Sequence, residues 1–456
     1  MKKCKASHFF VGKNVFLPKI SWIKMYRYKI KELIKWKLNP DRKPLIVQGA
    51  RQVGKTWLIK EFGKSDFEQM VYVNFEDEVR LQDLFLQDLN PKRIITTLEI
   101  FYQTKIVAEN TLIVFDEIQS AQKGITSLKY FCENAPEYYL IASDSLLGMN
   151  LHNKASFPVG KVDFLYLFPM NFYEFLLATG ENGLAQILEN KQWDLLPVFT
   201  GKFKEYLKYY FYIGGMPEVV NNFVTNRDWL NIRQIQKKIL TAYENDFSKH
   251  APKEEIQRLN IVWNSIPAQL GKENKKFIYG VLREGARAKE FEMAIQWLVN
   301  SGLLIKAHKI SKPSMPLIAY QDLFIFKLFL NDIGLLSAMA NLDIRTLVDE
   351  NTLFTEFKGS LTEQFVIQQL RAAEMDFIAY WTNDKSSAEV DFVIQHNGEI
   401  IPIEVKAAEN LKAKSLKLFC EKFNFQNAIR TSLSDYRKES WLTNVPLYLI
   451  GDYFTK

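Results

Sequence analysis

Two groups of residues in this sequence have side chains and spacing suited to chemistry. The first is Gly49-Ala50-Arg51-Gln52-Val53-Gly54-Lys55-Thr56, a G-x-x-x-x-G-K-[ST] pattern, with Trp57 next in the chain. Glycines at its ends permit backbone torsions that a side chain would block, so successive N–H groups can converge on phosphate oxygens. Lys55 brings a charge to the outer phosphates of a nucleotide, and Thr56 brings a hydroxyl to Mg²⁺. Such a cradle needs an acid downstream, and "LIVFDEIQ" (112–119) supplies two. Asp116 can hold Mg²⁺, and Glu117 can orient and deprotonate an attacking water. Ser143 ends another apolar run. It is either a sensor of the terminal phosphate or an ordinary strand-end serine capping a turn. These residues predict ATP binding and Mg²⁺-dependent hydrolysis. Lys55, Glu117 and Ser143 are the expected catalytic set, residues 49–57 the nucleotide contacts, and Thr56 and Asp116 the metal ligands.

The second group is Asp391, Glu404 and Lys406, at D-x₁₂-E-x-K spacing, with Glu363 on a preceding helical stretch. Glu404 and Lys406 are two apart on a strand and share a face. An Asn397-Gly398 turn brings the strand of Asp391 alongside. Carboxylates and a lysine at this spacing suit a Mg²⁺-dependent nuclease. Glu363, Asp391 and Glu404 would hold the metal, and Lys406 would position water. The flanks "VDFVI" and "IIPIEV" are apolar, so the charges lie on a buried sheet and call for a compensating cation. The alternative is a strand end open to water with its charges solvated.

The elements that must position these groups follow from the apolar pattern. Runs at 44–48, 70–75, 111–115, 138–142 and 163–168 alternate with helical stretches, the rhythm of a parallel sheet wrapped by helices. Residues 176–252 read as a helical lid region, broken by "GGMPEVV" (214–220). Residues 253–320 read as helices, a Gly302 stop and a strand, the order of a winged helix. Arg287 and Lys289 there could meet DNA phosphates, or the unit could serve as a scaffold lid. Residues 321–456 form a further α/β unit. The expected divisions are thus 1–24, 25–175, 176–252, 253–320 and 321–456.

Composition limits the alternatives. Three cysteines, Cys4, Cys132 and Cys420, lie far apart, which argues against a disulfide framework and a cysteine metal site. No apolar run reaches the ~20 residues of a membrane span. The start of the chain opens like a signal peptide, but Lys13 interrupts its apolar region, so a cytoplasmic protein with no membrane contact is expected. Residues 1–43 carry thirteen Lys and Arg against Glu32 and Asp41, while the whole chain is only +7, so the remainder is acidic. The basic stretch 24–37 could touch phosphate backbones or pack its stripe of Tyr26, Ile30, Leu33 and Ile34 on the core.

"VQGARQVGKTWLI", "LIVFDEIQ", "SFPVGKVDFLYLFPMNFYEFL", "GGMPEVV", "FKLFLNDIGLLSAM" and "EVDFVIQHNGEIIPIEVKA" occur in an order that resembles prokaryotic AAA+-type P-loop ATPases. These carry a winged-helix segment and a C-terminal domain similar to the PD-(D/E)XK nuclease fold. The resemblance covers roughly 25–450 and leaves 1–24 as a basic extension. It implies an α/β protein with a parallel-sheet ATPase core, a helical and winged-helix middle, and a restriction-endonuclease-like C-terminal domain. It also implies ATP and Mg²⁺ as cofactors, with DNA and a homo-oligomer as partners. The chain departs from the family in two places. Lys161 stands where the family has the arginine of a Gly-Arg pair that could act across a subunit interface. Asp144 replaces part of a small turn and is expected to put an extra negative charge near the phosphates. The other function consistent with these motifs is a nucleotide-dependent assembly switch with a vestigial, binding-only tail.

Overall fold

The structure is a computed structural model describing residues 25–145, 157–272, 275–348, 355–383, 387–407 and 413–455. The basic extension 1–24 lies outside the described residues. Two sheets organise the described residues. The first contains β1 (Leu45–Gly49), β2 (Gln69–Asn74), β3 (Thr111–Asp116), β4 (Tyr139–Ser145) and β5 (Asp163–Tyr166), in the order β2-β3-β4-β1-β5 among the described residues. Every pairing in it is parallel. Its strands are apolar on both faces because helices cover both. Ile46, Val73, Ile113, Phe115 and Leu140 face the helices Pro91–Tyr102 and Gly124–Asn134, with Leu98, Leu128 and Phe131 in the same core. Leu45, Val47, Leu112, Val114 and Ile141 face the helix Lys55–Asp66 through Leu58, Ile59 and Phe62. β1 therefore sits inside the sheet, between β4 and β5.

The second sheet is mixed. It contains β6 (Leu304–Ile310), β7 (Gln321–Leu330), β8 (Ile378–Thr382), β9 (Glu389–His396), β10 (Glu399–Val405), β11 (Ala428–Ser432), β12 (Arg437–Lys438) and β13 (Leu442–Pro446), in the order β12-β13-β11-β10-β9-β8-β6-β7. The helix Ala288–Asn300 is followed by the antiparallel pair β6–β7. β6 also pairs in parallel with β8, His308 against Ala379. The division expected at 320 therefore falls inside one sheet. The physical reason is the open edge of an isolated strand pair, whose unpaired N–H and C=O groups β8 satisfies.

The N-terminal segment takes the second of the two roles open to it, packing on the core. Arg27 and Lys29 are buried, and the helix Ile30–Leu38 packs through Leu33 and Trp36 and leaves Ile34 exposed. Lys29 is bonded to Glu32 at 2.7 Å and to Glu374 of the C-terminal unit. Among the described residues, no helix is long and apolar enough to cross a membrane.

Candidate nucleotide site

The loop after β1 is held in shape through its carbonyls. Lys55 Nζ donates to Gly49 O at 2.9 Å and to Ala50 O at 3.1 Å. Tyr243, on the helix Trp229–His250, donates to Arg51 O at 2.8 Å, and Arg27 Nη1 donates to Val53 O at 2.6 Å. A peptide whose carbonyl is held on one side presents its N–H on the other, so these bonds fix the orientation of the loop peptides. Two glycines are required. A Cβ on Gly49 would lie 2.3 Å from the Leu167 carbonyl, and Gly54 adopts φ +94°. Gly54 starts the helix Lys55–Asp66, and among the described residues no side chain caps it and no acid lies in its first turn. Its free N–H groups and dipole favour an anion at that point. The loop is also tied outward: Arg51 pairs with Asp246 and reaches Glu76 at 3.5 Å. Trp57, in the first turn of the helix, is half-buried against the core.

Arg27 is a residue that pattern reading did not reveal. Its guanidinium also donates to Phe168 O and pairs with Glu174 at 3.2 Å. It thus joins the loop, the end of β5 and the helix Phe172–Ala178. No local signal marks it, because all three partners are distant in sequence.

Beside the loop, three hydroxyls converge on Asp116 at the end of β3. Thr56 Oγ1 donates to Asp116 Oδ2 at 3.0 Å, and Tyr72 and Ser143 also donate to this carboxylate. The pairing of β3 between β2 and β4 brings these side chains together. Ser143 is buried, with its hydroxyl turned to Asp116. Glu117 takes a left-handed conformation, φ 50°, which points it out of the strand. Gln119 donates to its carboxylate. Burial raises the Glu117 pKa, against the opposing effects of Gln119 and Lys55. Burial also lowers that of Lys55, with Glu117, Asp144 and Asp116 working the other way. Thr56 and Asp116 fit Mg²⁺: a hydroxyl and a carboxylate in contact, beside an anion cradle. Lys161 lies on the surface before β5, paired with Glu133 at 3.0 Å.

Asp144 differs from its expected role as an added negative charge. It is 1% exposed, and burial followed by the charge of Glu117 pushes its carboxyl up to about 8, with Lys55 opposing. Burial thus favours its protonated, uncharged form.

Residues 41–176 match an AAA domain family. The cradle, the acid pair and the parallel sheet all fall within them. This stretch is similar to the AAA domains of that family. Beyond the AAA domain, residues 204–346 and 358–450 match two domains of unknown function, DUF8612 and DUF4143. No curated protein matches the chain. Among solved structures, the chain is similar to the Walker-type ATPase PABY2304 of Pyrococcus abyssi, with 11% identity, coverage of 70% of this chain and 96% of that one, and a TM-score of 0.43. The Aeropyrum pernix ORC1 protein in complex with DNA aligns at 11% identity over 72% and 95% of the two chains, TM-score 0.29. Cdc6p of Pyrobaculum aerophilum aligns at 11% identity over 74% and 97%, TM-score 0.25.

The second predicted group is only partly assembled. Glu363, on the helix Thr355–Ala372, and Asp391 share one electrostatic environment with Glu389, Lys327 and Lys275. Lys275 and Lys327 both pair with Glu363, the latter at 3.5 Å, and Lys327 pairs with Glu389. Glu404 and Lys406 stand apart, paired with each other at 2.5 Å. Glu404 also accepts the Leu416 N–H at 3.1 Å, while its neighbours Ile403 and Val405 face the other core. The divergence comes from a bulge. Ala379 pairs with Val393 but Trp381 pairs with Val390, so β9 carries one residue more than β8 at this point. That shift turns Asp391 toward Glu363, and its carboxylate accepts the Val405 N–H at 2.7 Å. The cationic compensation expected from a divalent ion is supplied by Lys327 and Lys275. Burial pulls Lys327 down, but Glu363, Glu389 and Asp391 outweigh it and hold it protonated. Among the described residues, no three His, Cys, Asp or Glu side chains form a metal-binding group. Sequence reading missed both lysines because they come from the segment after Ile256–Leu270 and from β7.

Proposed function

We propose that this chain hydrolyses ATP with Mg²⁺ and couples turnover to nucleic acid. The observation that carries the first part is the meeting of Thr56, Tyr72 and Ser143 on Asp116 beside the loop. The loop amides and the uncapped helix start bind the phosphates. Lys55 exchanges its two carbonyl acceptors for phosphate oxygens. Thr56 and Asp116 would hold the ion, with Ser143 and Tyr72 orienting the carboxylate. When bound, Mg²⁺ would neutralise charge on the outer phosphate oxygens. Glu117 takes the proton of the attacking water, and its burial raises its affinity for that proton. Coupling to nucleic acid is supported by Arg287 and Lys289, exposed at the start of the helix Ala288–Asn300. Phosphate release measured with and without duplex DNA tests both parts. The wild type turns over ATP, Lys55→Ala does not, and DNA raises the rate unless Arg287 and Lys289 are replaced by Ala. A wild-type rate no higher than that of Lys55→Ala overturns the ATPase; a rate indifferent to DNA overturns the coupling.

The lysine-filled carboxylate cluster favours a second reading for the tail, binding without cleavage, in which nucleotide sets assembly. Incubation with plasmid DNA and Mg²⁺ or Mn²⁺ leaves the DNA intact on this reading. Cleavage that disappears in Glu404→Ala overturns it. Light scattering with a non-hydrolysable ATP analogue tests assembly, and a strict monomer in its presence removes the switch.

A further inference from the structure

β5 is an edge strand of the first sheet and pairs with β1 alone among the described residues. Its side chains alternate: Leu165 is buried in the core, while Phe164 and Tyr166 are exposed on the other face. Phe157, from the segment before the strand, is exposed beside them. The three rings form a row. Phe157 and Phe164 have centroids 6.1 Å apart and planes at 8°; for Phe164 and Tyr166 the values are 6.3 Å and 15°. Large apolar side chains exposed together mark an interaction surface. These rings are flat and nearly parallel, which suits a partner that is itself a succession of flat rings.

The row runs into a cavity of about 440 Å³, a volume typical of small-molecule sites, and Tyr166 forms part of its wall. Lys306 and His308, two apart on β6, line it from one strand face. Lys306 rests over the Phe326 ring at 4.1 Å and has no carboxylate partner among the described residues. Arg371 is a second cation, and Asp376, the acid in the wall among the described residues, is paired with it at 3.3 Å. The wall thus has a cation to spare and favours an anion. Inside it the His308 ring lies along that of Phe377, 6.4 Å away at 14°. Flat rings leading to an unpaired cation are what hold the bases and backbone of a single strand. The cavity is distinct from the phosphate cradle, since Lys55, Thr56, Asp116 and Glu117 take no part in its wall. Gly49 and Ala50 do, and Leu167, next to Tyr166, donates its N–H to Gln48 O at 2.7 Å. An occupant therefore touches the start of the loop.

We propose that the row Phe157, Phe164 and Tyr166, with the cavity behind it, binds single-stranded nucleic acid, its bases on the rings and a phosphate at Lys306. This rests on nucleic acid as the partner in the proposed function and names the form it takes. The cavity meets the last turn of the helix Ala288–Asn300 through Gln296 and Asn300, at the opposite end from Arg287 and Lys289. Single strand and duplex thus have separate contacts, and the one on Tyr166 adjoins the loop.

The test is fluorescence anisotropy of the full chain with a labelled oligothymidylate of about twelve nucleotides, beside a duplex of the same length. Phe164→Ala and Tyr166→Ala each weaken the single strand about tenfold, the worth of one base stacked on a ring, and leave the duplex within about twofold. Tyr166→Phe keeps the ring and binds as the wild type does. Lys306→Gln lowers the slope of log affinity against log salt by about 0.7, the loss of one phosphate contact. A saturating non-hydrolysable ATP analogue leaves the oligonucleotide bound; its displacement would make the cavity part of the nucleotide site and overturn the proposal. Wild-type affinity in both alanine variants also overturns it, and a lower mass for them in light scattering would then make the row an interface between copies. If the wild type binds the duplex but not the single strand, the proposal fails while nucleic acid stands as the partner. If it binds neither, both fall.

Discussion

Thr56 and Asp116 are hydrogen-bonded at 3.0 Å, joining the first turn of the helix Lys55–Asp66 to the end of β3. The bond makes one unit of two residues sixty positions apart. Thr56→Ala and Asp116→Asn are each expected to abolish the Mg²⁺-dependent part of ATP affinity, a loss of tenfold or more, while binding in excess EDTA stays within about threefold. Titration with and without Mg²⁺ reads this directly. Equal losses in both conditions would mean that the pair shapes the loop and does not hold an ion.

Glu117→Gln keeps the shape and removes the base. It is expected to bind ATP as the wild type does and to turn over roughly 10²–10⁴-fold more slowly. Single-turnover phosphate release checks it. Wild-type turnover in this variant would move the base elsewhere.

Asp144 has a stability signature that needs no ligand. Its carboxyl stands at about 8 in the folded protein, against 3.8 for an ordinary aspartate. Between those values the folded state holds a proton that the unfolded state does not, so the residue destabilises the fold increasingly as pH rises toward 8. The gradient is up to about 1.4 kcal/mol per pH unit. Asp144→Asn is therefore expected to melt higher than the wild type in the absence of nucleotide, with the gap widening from pH 5 to pH 8. A constant gap would show that Asp144 ionises normally in the fold.

Lys327 is 1% exposed and pairs with Glu363 and Glu389. Lys327→Met leaves the buried Glu363 and the half-buried Glu389 short of a cation and is expected to cost about 3–5 kcal/mol in urea unfolding. Lys327→Met combined with Glu363→Gln recovers part of that, because an unpaired charge costs more than a missing pair. If the double variant is as unstable as the sum of the single ones, the two groups do not act together.

Arg27 reaches three acceptors from one planar fork: Val53 O, Phe168 O and the Glu174 carboxylate. Arg27→Lys keeps the charge but cannot span that geometry. It is expected to weaken ATP by about tenfold, nearly as much as Arg27→Ala, if the bond to Val53 O sets the loop. Full affinity in Arg27→Lys would reduce Arg27 to a countercharge for Glu174.

The candidate nucleotide site was legible because its geometry is local. Eight consecutive residues, Gly49–Thr56, carry the cradle, and the apolar runs before Gly49 and Asp116 mark strands whose ends share one edge of a parallel sheet. Backbone torsion and strand periodicity act within a few residues, so the sequence by itself determined the AAA core, the loop, the strand-end acids and the hairpin around Asn397-Gly398. It could not determine which charges meet. Counting faces along β9 and β10 placed Asp391 beside Glu404, but the extra residue opposite Tyr380 breaks the count and turns Asp391 to Glu363. Lys275, Lys327 and Arg27 find their carboxylates across the fold, and Asp144 loses its charge because the fold removes it from water. Alternation is a property of the local chain. Charge compensation and desolvation depend on distances in space, and only the tertiary structure decides those.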